Sequence, residues 1–268
     1  MTPYTIAVAG KGGTGKTTVC GMLIEALCQA GRKPVLAVDA DSNANLNEVL
    51  GVPAPESLGS IRESIKNAGA SETVPATMTK QDYLDTKFMD ALSEEKDYDL
   101  LVMGRTQGTG CYCFVNSMLK MQIDRLAGNY KYVVVDNEAG MEHISRGILP
   151  GADLMLLVSD CSVRGMQAAA RIQELIFALG MQPGAIRLIV NKVPPDADTQ
   201  EIRERAARFG LSLAGLLPED RLLYEYDARG EPTAKLPSDS AAKRATADVW
   251  RGLGLLDETP SVGVQTSA

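Results

Sequence analysis

Positive charge is in short supply in this sequence. Its 268 residues carry 27 Lys and Arg against 34 Asp and Glu, a formal net charge of −7. That balance argues against nucleic acid as a main partner, because phosphate-backbone binding needs a cationic surface. The N-terminus, MTPYTIAVAGKGG, has no basic segment leading into a long apolar stretch, so no secretory signal is expected. No run approaches the length of a membrane span, and no membrane partner is expected. Cysteines number five and histidine one. An odd count, with Cys20 and Cys28 inside a helical pattern, is no disulfide framework and points to a reducing cytoplasm. Cys20, Cys28 and Cys161 are expected to pack as small apolar residues.

What is present is an alternation of short apolar runs with helical periods. Residues 4–9, 35–38, 99–103, 132–135, 154–158 and 186–190 read as buried strands. They are continuously apolar, as expected of parallel strands covered on both faces. Between the first two, Val19, Met22, Leu23, Ala26, Leu27 and Ala30 recur at helical spacing, and Gly31 is the expected stop. The fold class expected is α/β: a doubly wound, mostly parallel sheet flanked by helices. One domain over residues 1–255 is expected, with a helical insert at about 52–96 and a loose tail at 256–268. The insert carries Pro53, Pro55 and Pro75 and a helical stretch near Tyr83 to Leu92. No internal repeats are seen.

The segment Gly10-Lys11-Gly12-Gly13-Thr14-Gly15-Lys16-Thr17 fits GxxxxGK[ST], between a strand and a helix. Glycines allow the backbone N–H groups to turn toward one anion, and the helix N-terminus adds partial positive charge. Lys16 is expected on the β- and γ-phosphates of ATP and the Thr17 hydroxyl on Mg²⁺. Asp136 closes the strand YVVVD, where a second magnesium-directed carboxylate belongs. Asp39 and Asp41, in DADSNANL, lie at the carboxyl end of another strand, the ligand side of such a sheet. Capping of the following turn by Asp41 or Ser42 is an alternative role, compatible with catalysis.

Two thiols, Cys111 and Cys113, stand one residue apart in GRTQGTGCYCFVN. A helical pattern follows, with Val115, Leu119, Met121 and Ile123 among its apolar positions. Thiols just before a helix N-terminus tend to have lowered pKa values, which favours the metal-binding thiolate. A bridge between residues i and i+2 would be strained. A redox pair, metal ligands and chance placement stay open on these residues alone.

The form KGGTGKTT resembles the deviant phosphate loop of the MinD-type ATPases, which include nitrogenase iron protein and ParA. The resemblance implies an ATPase in which Lys11 crosses a homodimer interface to the partner's nucleotide. It implies an ATP-binding segment of Gly10, Lys11, Gly12, Gly13, Thr14, Gly15, Lys16, Thr17 and Thr18. By the same resemblance Asp41 orients the attacking water, Asp39 joins Thr17 and Asp136 around Mg²⁺, and Asn45 and Gly140 face the γ-phosphate. Asn191 contacts adenine, with a simple strand-end turn as the alternative.

Within that group, DLLVMGRTQGTGCYCFVN, VVVDNEAGMEHISRG and LVSDCSVRGMQAAARI resemble the CooC-type maturation ATPases of carbon monoxide dehydrogenase. The resemblance runs from about Tyr4 to Leu253. It implies a nickel site on Cys111 and Cys113 at the interface of an ATP-stabilised homodimer, with the apo-dehydrogenase as client. Two chains bring four thiolates together, a set that suits Ni(II) and also Zn(II). His143, in the DNEAG segment, is a nickel ligand by type, but a switch or structural hydrogen-bonding role is preferred. Three other functions of the same superfamily are carried along. One is maturation of acetyl-CoA synthase. An iron–sulfur reductase normally has well-separated cluster cysteines. A positioning ATPase would want a basic amphipathic tail or a basic DNA-binding face, whereas LLDETPSVGVQTSA has no Lys or Arg.

Overall fold

The computed structural model describes residues 2–68, 78, 80–89, 91–105, 112–139 and 151–257. The first half runs β1 (Tyr4–Gly10), α1 (Lys16–Gln29), β2 (Val35–Ala40), α2 (Leu46–Leu50), α3 (Leu58–Ala68), α4 (Lys80–Met89), β3 (Leu92–Glu94), β4 (Tyr98–Val102), α5 (Tyr112–Leu126) and β5 (Tyr132–Asn137). The second half runs β6 (Leu154–Ser159), α6 (Val163–Ala178), β7 (Ala185–Val193), α7 (Thr199–Arg208), β8 (Leu213–Pro218), α8 (Arg221–Ala228) and α9 (Ala241–Gly252). The strands form one eight-stranded sheet in the order β3-β4-β2-β5-β1-β6-β7-β8. All neighbours are parallel except β3, which pairs antiparallel with β4.

Strand periodicity explains why the buried strands read as unbroken apolar runs. Successive side chains point to opposite faces, and both faces are covered. In β1, Ile6 and Val8 join the core that includes Leu23 and Leu27 of α1. Ala7 and Ala9 face the other way, into the core with Met166 and Ile176 of α6. In β2, Val35 and Ala37 join the α1 core, while Leu36 and Val38 pack with Val115, Leu119 and Ile123 of α5. On α5 itself Met121 is 44% exposed, and Met118 and Leu126 take the buried positions instead.

The segment between β2 and β4 contributes more than helices. It holds α3 and α4; α4 ends at Met89, short of the helical stretch read to Leu92, and Leu92–Glu94 instead closes the sheet edge as β3. At the opposite edge β8 is a strand that hydrophobic runs did not announce. Its residues are mostly half-buried, and its register with β7 slips twice.

Trp250 of α9 is fully buried in the core it shares with α1 and β1, and among the described residues its Nε1 has no hydrogen-bond partner. Trp250→Ala is expected to cost about 3–5 kcal/mol through lost burial and a cavity. Trp250→Phe should cost much less, because it removes the orphaned N–H while keeping most of the ring. Urea unfolding followed by circular dichroism measures both; a Phe loss as large as the Ala loss would contradict this account.

Candidate functional site

The site lies at the carboxyl ends of β1, β2 and β5, where neighbouring strands part toward opposite crossovers. The loop from Gly10 to Gly15 leaves β1 and enters α1. Its conformation demands glycine at Gly15, which has φ +88° and would place a Cβ 2.5 Å from Asn191 Nδ2. At Gly10 a Cβ would lie 2.2 Å from the Val158 carbonyl oxygen of the adjacent strand. The loop is braced from within and from β7. Thr14 Oγ1 donates to the Lys11 carbonyl at 2.8 Å. Asn191 Nδ2 donates to the Thr14 carbonyl at 2.9 Å, and Lys192 Nζ to the Gly13 carbonyl at 2.9 Å. Lys192 holds a left-handed φ of 56°, an uncommon conformation for a side-chain-bearing residue. These braces engage the carbonyls of Lys11, Gly13 and Thr14, and backbone N–H groups of such a loop can turn toward an anion.

Lys16 is almost wholly buried, and its Nζ lies 3.5 Å from the Lys11 carbonyl. Burial pulls its ammonium below the usual lysine range, against the opposing pull of Asp136, Asp41 and Glu138. Lys11 is exposed, the disposition an intermolecular role requires. Asp136 is buried, and burial pushes its carboxyl up to about 7. The Thr17 hydroxyl hydrogen-bonds to it and Lys16 lies near, both opposing the rise, while Asp39 and Asp41 add to it. Among the described residues, Asp136 Oδ1 has no hydrogen-bond partner. An orphaned carboxylate oxygen beside a threonine hydroxyl fits the requirements of a hydrated divalent cation.

Asp39 is fully buried at the end of β2. Its Oδ1 accepts the Asp41 amide at 3.0 Å and its Oδ2 the Leu46 amide at 2.9 Å. Burial pushes the Asp39 carboxyl up to about 6, held back by those amides. The helix α2 is therefore started by Asp39 and not by its nearer neighbours. Asp41 Oδ1 instead accepts Asn43 N at 2.8 Å, Ser42 Oγ donates to Glu138 Oε1 at 3.0 Å, and Asn45 at the cap position makes no side-chain cap bond.

The cleft that these residues share has a volume of about 1510 Å³. Of the residues expected there, Gly12, Gly13, Gly15, Lys16, Thr17, Thr18, Asp41, Asn45 and Asn191 line it, whereas Gly10, Lys11, Thr14, Asp39 and Asp136 are not part of its lining. Its far wall was not anticipated. It comes from Pro218, Glu219 and Asp220 after β8, from Leu223 and Tyr224 of α8, and from Gly230 to Thr233. Asp220 anchors that wall, accepting Leu222 N at 2.8 Å, Ser240 Oγ at 2.6 Å and Ala242 N at 2.9 Å. The signal available was PED directly after LAGLLP, but it is weak without knowing that LAGLLP is a strand. Of the remaining expected residues, Cys111, Gly140 and His143 lie outside the described residues, and Cys113 is backbone-placed in the first turn of α5. The thiols thus do not both precede the helix. Cys20 and Cys28 are buried, and Cys161 is only half-buried.

Residues 5–233 match the CobQ/CobB/MinD/ParA nucleotide binding domain. The chain belongs to that family. It is a P-loop ATPase. An uncharacterized ATP-binding protein of Methanocaldococcus jannaschii is 43% identical, over 91% of this chain and 96% of its own length. The carbon monoxide dehydrogenase accessory protein CooC of Rhodospirillum rubrum is 34% identical, over 84% of this chain and 87% of its own. Among solved structures, the septum site-determining protein MinD of Pyrococcus horikoshii, complexed with Mg-ADP, superposes with a TM-score of 0.67. That alignment covers 94% of this ATPase and 96% of MinD at 23% identity, a likeness of fold.

The two buried carboxylates give this ATPase a pH signature when nucleotide and divalent cation are removed. Both titrate higher in the fold than the ordinary carboxylate value of 3.8. The stability they contribute is complete below that value and is lost as pH rises through about 6 for Asp39 and about 7 for Asp136. Unfolding free energy in EDTA is therefore expected to fall between about pH 4 and pH 7, and Asp136→Asn to flatten the upper part of that fall. Denaturant titrations at fixed pH values test this; identical slopes in both proteins would refute the assignment.

Proposed function

We propose that this ATPase is a nucleotide-driven metallochaperone that loads Ni(II) into apo carbon monoxide dehydrogenase. ATP closes two copies into a homodimer, and Cys111 and Cys113 of each copy then form one four-thiolate site. The observation that carries the reading is where the thiol segment is rooted. Strand β4, which leads into it, pairs with β2 so that Val102 lies opposite Asp39, and Met103 N donates to the Asp39 carbonyl at 2.8 Å. In sequence, the CxC pair comes nine positions after this strand end, which borders the carboxylates expected at the nucleotide. The extended identity with a carbon monoxide dehydrogenase accessory protein supports the same client.

In this reading the loop from Gly10 to Thr18 wraps the phosphates, with Lys16 on the β- and γ-phosphates. Asn45 and Gly140 face the γ-phosphate, and Asn191 borders the base. Thr17, Asp39 and Asp136 would hold Mg²⁺ and its water shell. Bound there, the ion would offset phosphate charge. Asp41 orients the attacking water and takes up its proton. Lys11 of each copy completes the other's site, so hydrolysis requires the dimer and its loss reopens the thiolate site. Zn(II) satisfies the same four sulfurs, so metal identity is read from competition rather than geometry.

Lys16→Gln is expected to abolish hydrolysis. Lys11→Gln should keep nucleotide binding, yet remain monomeric by light scattering in ATP and Ni(II). Its turnover should fall by about 10²-fold or more, the scale of a lost transition-state charge contact. Cys111→Ala or Cys113→Ala should abolish stoichiometric Ni(II) binding while sparing ATP. Nickel affinity that survives both cysteine changes, or a wild-type protein that stays monomeric throughout, sinks the reading. A brown, oxygen-sensitive protein would point to an iron–sulfur reductase instead.

A further inference from the structure

Strand β5 leaves the sheet at a locked point. Asn137 is buried, and its side-chain amide donates to the Val8 carbonyl of β1 at 2.9 Å. Its register partner on β2 is Ala40, so the last pair of that ladder is tied to a third strand. Glu138 is the next residue. It is half-buried, and its Oε1 accepts the Ser42 hydroxyl at 3.0 Å, a contact between residues 96 positions apart. The charges of Asp136, Asp41 and Glu138 all act on the Lys16 ammonium, which puts Glu138 on the phosphate side of the sheet.

The turn that contains Ser42 is fixed at its two ends, by the Asp41 and Leu46 amides on Asp39. Between them Ala44 holds a left-handed φ of 54°. A Cβ disfavours that conformation, and it persists where the surroundings impose it. Asn43 gives both its backbone and its side-chain N–H to Asp41 Oδ1, at 2.8 and 3.0 Å. One oxygen of Asp41 is thereby taken up within the turn. Two contacts reach the turn from other segments. The Arg105 guanidinium donates to Asn43 Oδ1, and Glu138 accepts from Ser42. The second comes from the strand end that also carries Asp136, and Ser42 is the residue next to Asp41.

We propose that Glu138 is a positioning residue for ATP hydrolysis, acting through the Ser42 hydroxyl to hold Asp41 Oδ2 toward the attacking water. This rests on the reading of Asp41 as the carboxylate that directs that water. Asp41 is then fixed from two sides. Its own amide is on Asp39, and its neighbour is on Glu138. In the step itself the water oxygen bonds to the γ-phosphorus while the bond from that phosphorus to the β,γ-bridging oxygen breaks. ADP leaves with the electron pair, and the proton of the water passes to Asp41. Such an attack depends on alignment, and a misplacement of about 1 Å costs on the order of 10²-fold. The Ser42–Glu138 contact therefore enters the rate of the chemical step and leaves nucleotide affinity alone.

The test is steady-state ATP hydrolysis by the full chain in Mg²⁺, alongside binding of a non-hydrolysable ATP analogue and melting temperature. Ser42→Ala and Glu138→Ala are each expected to lower kcat by about tenfold to a hundredfold, with KM changed by less than about threefold. Analogue affinity and melting temperature should hold, because the contact is only half-buried. Glu138→Gln should keep most of the rate, since an amide oxygen still accepts the hydroxyl, and Ser42→Thr should do the same. The double alanine variant should be no slower than the slower single one. A Glu138→Gln as slow as Glu138→Ala, a Ser42→Ala at the wild-type kcat, or a loss carried by KM alone overturns the proposal. Asp41→Ala, measured in parallel, separates it from the reading beneath. Normal turnover in Asp41→Ala removes both. An inactive Asp41→Ala beside a fully active Ser42→Ala removes the positioning role alone.

Discussion

Asp39 is the residue on which the architecture of the site depends. A single buried carboxylate at the end of β2 takes the amides of Asp41 and Leu46, so it shapes the turn and starts α2 together. Its backbone carbonyl takes Met103 N, which fixes where β4 ends. Burying a carboxylate without partners costs several kcal/mol, and amide donors are what make this one tolerable. The two donors come from the turn itself, so the turn can fold only one way around the acid. The phosphate-side carboxylates and the root of the cysteine segment are thereby set by the same group.

A second constraint is electrostatic. Asp39, Asp136 and Lys16 are buried beside half-buried Asp41, and burial pushes the two buried carboxyls up while it pulls the lysine down. Among the described residues nothing partners Asp136 Oδ1. Such an arrangement is costly when empty and favourable around a cation and a polyphosphate. The site is therefore organised for its charged ligands ahead of their arrival, at the expense of stability in their absence.

How much of this was legible in the sequence depended on how local each feature is. The phosphate loop is a contiguous run with glycines at fixed offsets, and the buried strands are contiguous apolar runs; both can be read without a partner. The start of α2 could not. Asp41 and Ser42 sit where a cap belongs, yet the amide of Leu46 goes to Asp39, seven residues back, because only that carboxylate is fixed by β2. Likewise β8 lies at a sheet edge, half-buried and interrupted by Gly215, so it lacks the unbroken apolar signature of central strands. The far wall of the cleft depends on that strand and on the Asp220–Ser240 contact, which joins segments twenty residues apart. Met121 looked apolar and is exposed because helical phase, not residue type, decides which side of α5 meets the sheet.

The braces from β7 give the cleft two unlike sides. Asn191 and Lys192 grip consecutive carbonyls of the phosphate loop from the end of a central strand. On the opposite side, the turn after β2 is held by its own amides on buried Asp39 and by side-chain bonds to Asp41 and Glu138. The two sides of the cleft are therefore fastened in opposite senses: loop carbonyls receive side-chain donors on one, and turn amides give to a fixed carboxylate on the other.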